Sequence, residues 1–382
     1  MEYIKDYIKK RVKNKKIGIF GTGNNAAIAV DFLNEMKISE YVFFDNDVTK
    51  IGKTLCNKNI LSPAEITRDY FILVSTIYFT DIKKQLNKLG MEDLENFLWV
   101  LDLNFYDSWI RWKNAPRVPD ISFLDIEDIE QELKKYVQVE EIQWFDEEKF
   151  REFEDKLGFQ HIYDKQDNRR YRRKIMEYYC VDKLLGFEKW NSQDIYLDVG
   201  AAGSPYAKYL RENKGILAFA LDLEERNYGK LPYYIREDAT KMHFRDNEVT
   251  AISLQSSFEM FQGNSDMDFI MEASRVLKEG GKVIICPLYL HQKFLSTVSP
   301  NYYNTGLADF GALECIRLDC RGNVPLGRFY SVEVLNERII KNAEKCGLIP
   351  KVYSLPQEKV EKDEFVYLKF ILSLEKPATV GK

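Results

Sequence analysis

The chain has 382 residues, 45% hydrophobic and 30% charged, enough for two globular domains that each bury a core of their own. A net charge of −5 argues against a general electrostatic grip on nucleic acid, and six scattered cysteines without a Cys-x-x-Cys pair argue against a disulfide framework or a structural zinc site. No run approaches the roughly 18 to 20 apolar residues of a membrane helix, and the start Met1-Glu-Tyr-Ile-Lys-Asp is not a signal peptide, so a cytoplasmic protein without a transmembrane segment is expected.

Residues 1–14 read as a short basic amphipathic helix. Lys16-Ile-Gly-Ile-Phe then runs into Gly21-x-Gly23-x-x-Ala26, a strand, a glycine turn holding Asn24 and Asn25, and a helix, which is the dinucleotide-type scheme with alanine at the third glycine position. The next strand, Tyr41–Phe44, ends at Asp45, about 24 residues past the turn, where an acid suits ribose hydroxyls. Ile60–Ile66 predicts a short strand and a capped helix, Tyr70–Ser75 a buried strand, 82–89 a helix and Phe97–Leu101 a last strand. Alternating strands and helices of this kind imply a small parallel sheet over residues 1–105.

The run Phe43-Phe-Asp-Asn-Asp-Val-Thr-Lys-Ile-Gly-Lys53, followed by Ile60-Leu-Ser-Pro63, resembles the Rossmann-like domain fused to bacterial sugar-modifying enzymes. That resemblance implies a nucleotide or nucleotide-sugar site on Gly21, Gly23, Asn24, Asn25 and Asp45. A retained scaffold, or a surface for a homodimer, is the alternative.

Residues 106–164 change character and are expected to form a connector. Trp109, Trp112, Pro116 and Pro119 mark an irregular passage, and Asp125–Leu157 reads as an acidic helical stretch with Trp144 and Phe145 as docking residues. A helix from Asn168 follows, carrying cations at 169, 170, 172, 173 and 174 beside a buried stripe of Ile175, Tyr178, Tyr179 and Leu184.

The second half is organised around Ile195-Tyr-Leu-Asp-Val-Gly-Ala-Ala-Gly-Ser-Pro205. It predicts a buried strand, a turn of small residues (Gly200, Ala201, Ala202, Gly203) and a helix with Ser204 as N-cap and Pro205 at its first position. Unpaired N–H groups and small side chains at a strand's carboxyl edge suit a close-lying ligand. Asp198 adds an acceptor, and a second strand ends at Asp222-Leu223. Asp238-Ala239, a fourth strand over Val249–Glu259, a helix over Asp266–Leu277 stopped by Glu279-Gly-Gly281, and a fifth strand over Lys282–Pro287 complete the series.

In that order these features resemble class I S-adenosylmethionine (SAM)-dependent methyltransferases over residues 165–376. The resemblance implies an α/β architecture, with two Rossmann-like doubly wound sheets in the whole chain and a closing antiparallel hairpin (Ile349–Leu355 with Phe365–Leu374) in the second. It implies SAM as cofactor, held by Asp198, Gly200–Gly203, Asp222, Leu223, Asp238 and Ala239, with Tyr171 and Arg173 on the methionine carboxylate. The usual loop glycines are replaced by Ala202 and Ser204, and the usual Glu-His pair after the fourth strand is Glu259-Met260.

Residues 288–330 form an insertion, read as a loop rich in tyrosine and arginine and suited to a phosphate- or carboxylate-bearing substrate. The transferred methyl group brings its own leaving group, so the protein chiefly positions the acceptor, and a base is needed only for a hydroxyl or protonated amine. Glu259 and His291 are the candidates. The expected function is methyl transfer to a small polar or glycan-linked acceptor, phosphorylated or nucleotide-linked, in cell-surface sugar biosynthesis. An NAD-linked or bifunctional oxidoreductase, or a non-catalytic nucleotide-binding protein, stays open.

Overall fold

The computed structural model describes residues 1–119, 123–159, 168–224, 231–317, 326–356 and 368–378. They fold as two compact units, one over Met1–Ala115 and one built from the described residues from Pro116 on.

The first unit contains strands β1 (Lys16–Phe20), β2 (Val42–Phe44), β3 (Thr54–Leu55), β4 (Lys58–Leu61), β5 (Tyr70–Val74) and β6 (Phe97–Trp99), in the sheet order β3-β4-β2-β1-β5-β6. Neighbours pair in parallel except β3 with β4, a small antiparallel pair the sequence did not announce. All five residues of β5 are buried, as expected of a parallel strand covered on both faces. Gly18 in β1 has a packing reason: a Cβ there would lie 2.6 Å from the Phe44 ring. Helices α1 (Glu2–Arg11), α2 (Ala26–Glu35), α3 (Phe79–Lys88) and α4 (Leu103–Arg111) accompany the sheet. Asp107 of α4 accepts from the Ile4 N–H at 2.9 Å and pairs with the N-terminal ammonium at 2.8 Å, which satisfies the start of α1.

Two expectations are corrected here. The capped helix after β4 is a single 3-10 turn, Pro63–Glu65, whose Ser62 and Glu65 form a capping box. The passage around Trp109 is regular helix, α4, because Leu103, Phe105 and Tyr106 form a buried stripe that outweighs the aromatic, poorly helix-forming composition.

The second unit opens with α5 (Phe123–Leu133), strand β7 (Gln138–Glu141), α6 (Glu147–Leu157) and α7 (Asn168–Leu185). Its main sheet continues with β8 (Ile195–Val199), β9 (Leu217–Asp222), β10 (Tyr234–Arg236), β11 (Val249–Gln255) and β12 (Leu277–Cys286). A small sheet of β13 (Leu295–Val298), β14 (Leu313–Ile316) and β15 (Gly327–Phe329) intervenes before β16 (Ile349–Ser354) and β17 (Phe370–Glu375). Helices α8 (Tyr206–Lys214) and α9 (Ser265–Val276) link strands of the main sheet.

The main sheet runs β10-β9-β8-β11-β12-β17-β16-β7, parallel from β10 to β12, with β17 antiparallel to both of its neighbours. This is the class I methyltransferase topology with one strand added at the edge, and both sheets of the protein have a Rossmann-like strand order. The chain order reverses at β8, so the crevice beyond its carboxyl end, between β9 and β11, is the topological switch point where open α/β sheets take ligands.

Three elements differ from expectation. The acidic stretch after Asp125 is interrupted by β7, which pairs in parallel with β16 through Lys351↔Gln138 to Ser354↔Glu141. Trp144 and Phe145 do dock, each with its ring 5.9 Å from that of Tyr179 on α7. The insertion is a three-stranded sheet, β14-β13-β15, rather than a loop; its Arg321 lies outside the described residues, as do His161, Cys320 and the expected strand start at 365–367. Helix α9 ends at Val276, and β12 begins at Leu277, with its register against β11 shifted where Gly280 takes φ +75°.

Candidate functional site

The turn after β8 is built by backbone constraint. Gly200 has φ +68°, and a Cβ on it would lie 2.5 Å from Ser257 Cβ, so glycine is the residue that fits. Its N–H and that of Ala201 both donate to Leu221 C=O, at 2.8 and 3.2 Å. Ala202, with φ +44°, donates its N–H to Asp222 Oδ2 at 2.7 Å, while Oδ1 accepts from Glu224 N–H at 3.1 Å. A carboxylate has about four lone-pair positions, so Asp222 keeps acceptor capacity beyond these two bonds.

Ser204 is not the N-cap of α8; Pro205 holds that position. The Ser204 hydroxyl donates instead to Asp198 Oδ2 at 2.6 Å, meets Tyr178 Oη at 3.0 Å and accepts from Tyr206 N–H at 3.3 Å. Asp198 is 2% exposed. Burial pushes its carboxyl up to about 7, against the Ser204 hydrogen bond and Lys174, with the Asp222 and Glu177 charges adding to the rise.

Asp238, after β10, accepts from the Thr240 N–H and hydroxyl, both at 2.8 Å. Ala239 is buried beside it, and Leu223 is 66% exposed at the end of β9. His243 leans on Glu237, Nδ1 to Oε1 at 2.7 Å.

Across the switch point, α7 brings a polar cluster over the ends of β11 and β12. Glu177, 1% exposed, accepts from Lys174 Nζ at 2.7 Å and from the Ser256 hydroxyl at 2.8 Å. Lys174 also donates to Gln255 C=O at 3.2 Å. Ser256 has φ +52°, an uncommon backbone state for a residue other than glycine. Glu259 follows in the 3-10 turn Phe258–Met260 and is 6% exposed. Burial pushes its carboxyl up to about 7, opposed by its own backbone N–H, Lys174 and Arg317 and reinforced by Glu177. Its Oε2 has no hydrogen-bond partner among the described residues, and neither has Gln255 Oε1.

The other two α7 candidates separate. Tyr171 is 1% exposed, within the aromatic core between α7 and the sheet. Arg173 is half-buried, and its charge acts on Tyr289, which Glu259 and Glu177 also face. His291 belongs elsewhere: its ring lies in a small pocket with Asp128, Ile129, Glu132 and Val332. Its Nδ1 accepts from Lys293 N–H at 3.0 Å, and the ring also bonds the Pro119 backbone. Desolvation holds its pKa below the usual value.

The insertion is fastened by ion pairs that spacing did not reveal. Arg328 is fully buried and pairs with Asp266 at 2.9 Å and Asp309 at 2.7 Å, while Arg338 reaches Asp266 at 2.6 Å. Tyr330 donates to Asp266 Oδ2 at 2.7 Å and stacks on Phe258, one residue before Glu259. Only long-range folding brings residues 266, 309, 328 and 338 together.

In the first unit, Gly21 takes φ +105° and donates to Phe44 C=O at 2.8 Å. Thr22 donates its N–H to Asp45 Oδ2 at 3.1 Å and its hydroxyl to the same oxygen. Asp45 also meets Lys50 Nζ at 3.2 Å. Burial would raise its pKa, but the Thr22 hydroxyl, the Asp47 N–H and Lys50 together hold it below the usual value. Gly23 and Asn24 are exposed, and Asn25 is the N-cap of α2, without a side-chain cap.

Residues 197–285 match the family described as "Methyltransferase domain", and residues 13–95 match "C2185-like, N-terminal". The chain carries a SAM-dependent methyltransferase domain. SAM is its cofactor, and the domain is fused to an N-terminal domain of unknown specific function. Among solved structures, the chain is similar to a putative methyltransferase of Haloferax volcanii, solved with the Trm112 methyltransferase activator, at 15% identity, TM-score 0.36, covering 56% of this chain and 95% of that one. A putative methyltransferase of Bacillus halodurans aligns at 15% identity and TM-score 0.30, covering 52% and 99%. The 1,6-didemethyltoxoflavin-N1-methyltransferase of Burkholderia thailandensis aligns at 10% identity and TM-score 0.36, covering 69% and 94%. No curated protein matches the chain. No helix among the described residues is long and apolar enough to cross a membrane.

Proposed function

We propose that the methyltransferase domain methylates a small polar or glycan-linked acceptor held at the ends of β11 and β12, with Glu259 as the group that orients or deprotonates it. The observation that carries this reading is the buried Glu259 Oε2, which lacks a hydrogen-bond partner among the described residues beside the Lys174–Glu177 pair. A buried carboxylate oxygen left unpaired is costly, and such groups concentrate where a substrate supplies the partner.

SAM supplies the reactive methyl group on a sulfonium. In this reading the small residues of the Gly200–Gly203 turn give the cofactor close backbone approach. Asp222 and Leu223 hold the ribose, Asp238 and Ala239 the adenine, and Asp198 with Arg173 the methionine end; Tyr171 braces α7 from within the core. His291 is left out of the chemistry because both sides of its ring are engaged by the backbone.

The glycan-linked part rests on the resemblance of the first domain, whose turn at Gly21, Gly23, Asn24, Asn25 and Asp45 would take a nucleotide-linked acceptor. The NAD-linked reading gains no support from either family match.

Calorimetric titration with S-adenosylhomocysteine tests the cofactor half. Asp222→Ala should weaken binding by roughly ten- to hundredfold, the value of about 1.5–3 kcal/mol for a charge-assisted hydrogen bond. A folded wild type that binds no adenosyl ligand would sink the reading. Nucleotide-sugar affinity unchanged by Asp45→Ala would remove its glycan-linked part.

A further inference from the structure

The strand beside the cofactor turn ends in a peptide bond that is gripped from α7 and from β12. Gln255, the last residue of β11, accepts at its C=O from Lys174 Nζ at 3.2 Å. The Ser256 N–H donates to Cys286 C=O, at the end of β12, at 3.2 Å. The Ser256 hydroxyl donates to Glu177 Oε1 at 2.8 Å. Lys174 and Glu177 are themselves paired at 2.7 Å, one helical turn apart. One buried ion pair therefore holds two consecutive residues of the strand end.

Ser256 is where such a grip has work to do. Its φ is +52°, a state in which a Cβ crowds the backbone and glycine alone sits without cost. That step sets the direction of the chain beyond the strand and with it the place of Ser257. Ser257 is 6% exposed and donates its hydroxyl to Val199 C=O at 2.8 Å. It lies against Gly200, where an added Cβ would be 2.5 Å from the Ser257 Cβ. Ser257 is also the N-cap residue of the 3-10 turn that carries Glu259.

We propose that Glu177, charge-matched by Lys174, is a positioning residue for SAM binding. It holds Ser256 in the left-handed state and so sets Ser257 against the Gly200 turn, without touching the cofactor. Glu177 is 1% exposed and its carboxylate is engaged by Lys174 and Ser256, so its route to a ligand runs through those neighbours. The inference rests on the SAM site of the domain and is independent of the role given to Glu259.

A double-mutant cycle on the full-length protein, read by calorimetric titration with S-adenosylhomocysteine, tests it. A variant that releases the step must restore it on binding, so affinity falls by the fraction of molecules that still hold it. Ser256→Ala keeps the crowded Cβ and loses the anchoring hydroxyl; binding should weaken about five- to thirtyfold. Ser256→Gly loses the same hydroxyl but also the crowding, and should bind within about threefold of wild type. Glu177→Ala should weaken binding by at least about fivefold alone, and by less than about twofold when added to Ser256→Gly. Equal losses from Glu177→Ala in both backgrounds would mean a direct cofactor contact or a packing role for α7, and either overturns the inference. The two Ser256 variants keep the ion pair, so their comparison decides the matter if Glu177→Ala does not fold: Ser256→Gly binding as weakly as Ser256→Ala overturns it. A folded wild type that binds no adenosyl ligand removes the cofactor site and this inference with it.

Discussion

The two sheets of this protein use the same device and put it to different ends. In each, the acid ending the second strand of the nucleotide-type unit accepts an N–H from the turn after the first: Asp45 from Thr22 at 3.1 Å, Asp222 from Ala202 at 2.7 Å. In the first unit the acid is also matched by the Lys50 ammonium and the Thr22 hydroxyl. In the second, Asp222 stands at an edge where Asp198 and Glu259 are buried carboxyls raised towards neutrality. The shared turn therefore marks a place where a ligand can lie, and the surrounding charge decides what chemistry is available there. One site is electrostatically settled, and the other is poised.

The comparison can be broken most sharply at the fully buried ion pairs, which among the described residues only the second unit has. Arg328→Leu leaves Asp309 buried against an apolar chain and should cost about 3–5 kcal/mol, read from denaturant midpoints. A loss below about 1 kcal/mol would show that the insertion holds without the clasp.

The pH response should differ in sign between the units. Glu259 is an acid whose folded pKa, about 7, lies above its unfolded value of 4.5, so the unfolded chain loses its proton first. Stability should therefore fall as pH rises from 4.5 through 7, and Glu259→Gln should remove on the order of 3 kcal/mol of that decline. Asp45 behaves oppositely: its folded pKa is depressed, so its contribution is present above 3.8 and lost as pH falls through the folded value. Parallel stability curves for Asp45→Asn and wild type through the acid range would contradict this.

Turn glycines sharpen the contrast further. Gly200→Ala forces a Cβ against Ser257 in a left-handed backbone and should cost about 2–4 kcal/mol together with cofactor affinity. Gly23→Ala meets nothing within 4 Å and should change stability by less than about 0.5 kcal/mol. Equal losses from the two would mean that the turns are equally constrained, against the geometry.

Most of the second sheet was legible because its strands announce themselves as short apolar runs ending in turn residues, and because the turn at Gly200 and the acid at Asp222 obey local rules. The misreadings share a cause. Strand β7, Gln138-Val-Glu-Glu, is a polar edge strand with a single half-buried valine on its pattern, and only pairing with β16 defines it. The small sheet of the insertion likewise depends on partners far apart in the chain. His291 looked like Glu259 in the sequence, a titratable group just past a strand, until packing turned its ring onto Lys293 and Pro119.

By itself the sequence determined the periodic elements, the glycine turns and the acids that end each second strand, since these follow from steric and hydrogen-bonding rules acting within a few residues. Tertiary structure alone decided which carboxyls are desolvated, which cation each one meets, and that Lys174, Glu177 and Glu259 converge from α7 and the 3-10 turn after β11. Desolvation and charge pairing are properties of neighbours in space, and neighbours so distant along the chain leave no local pattern.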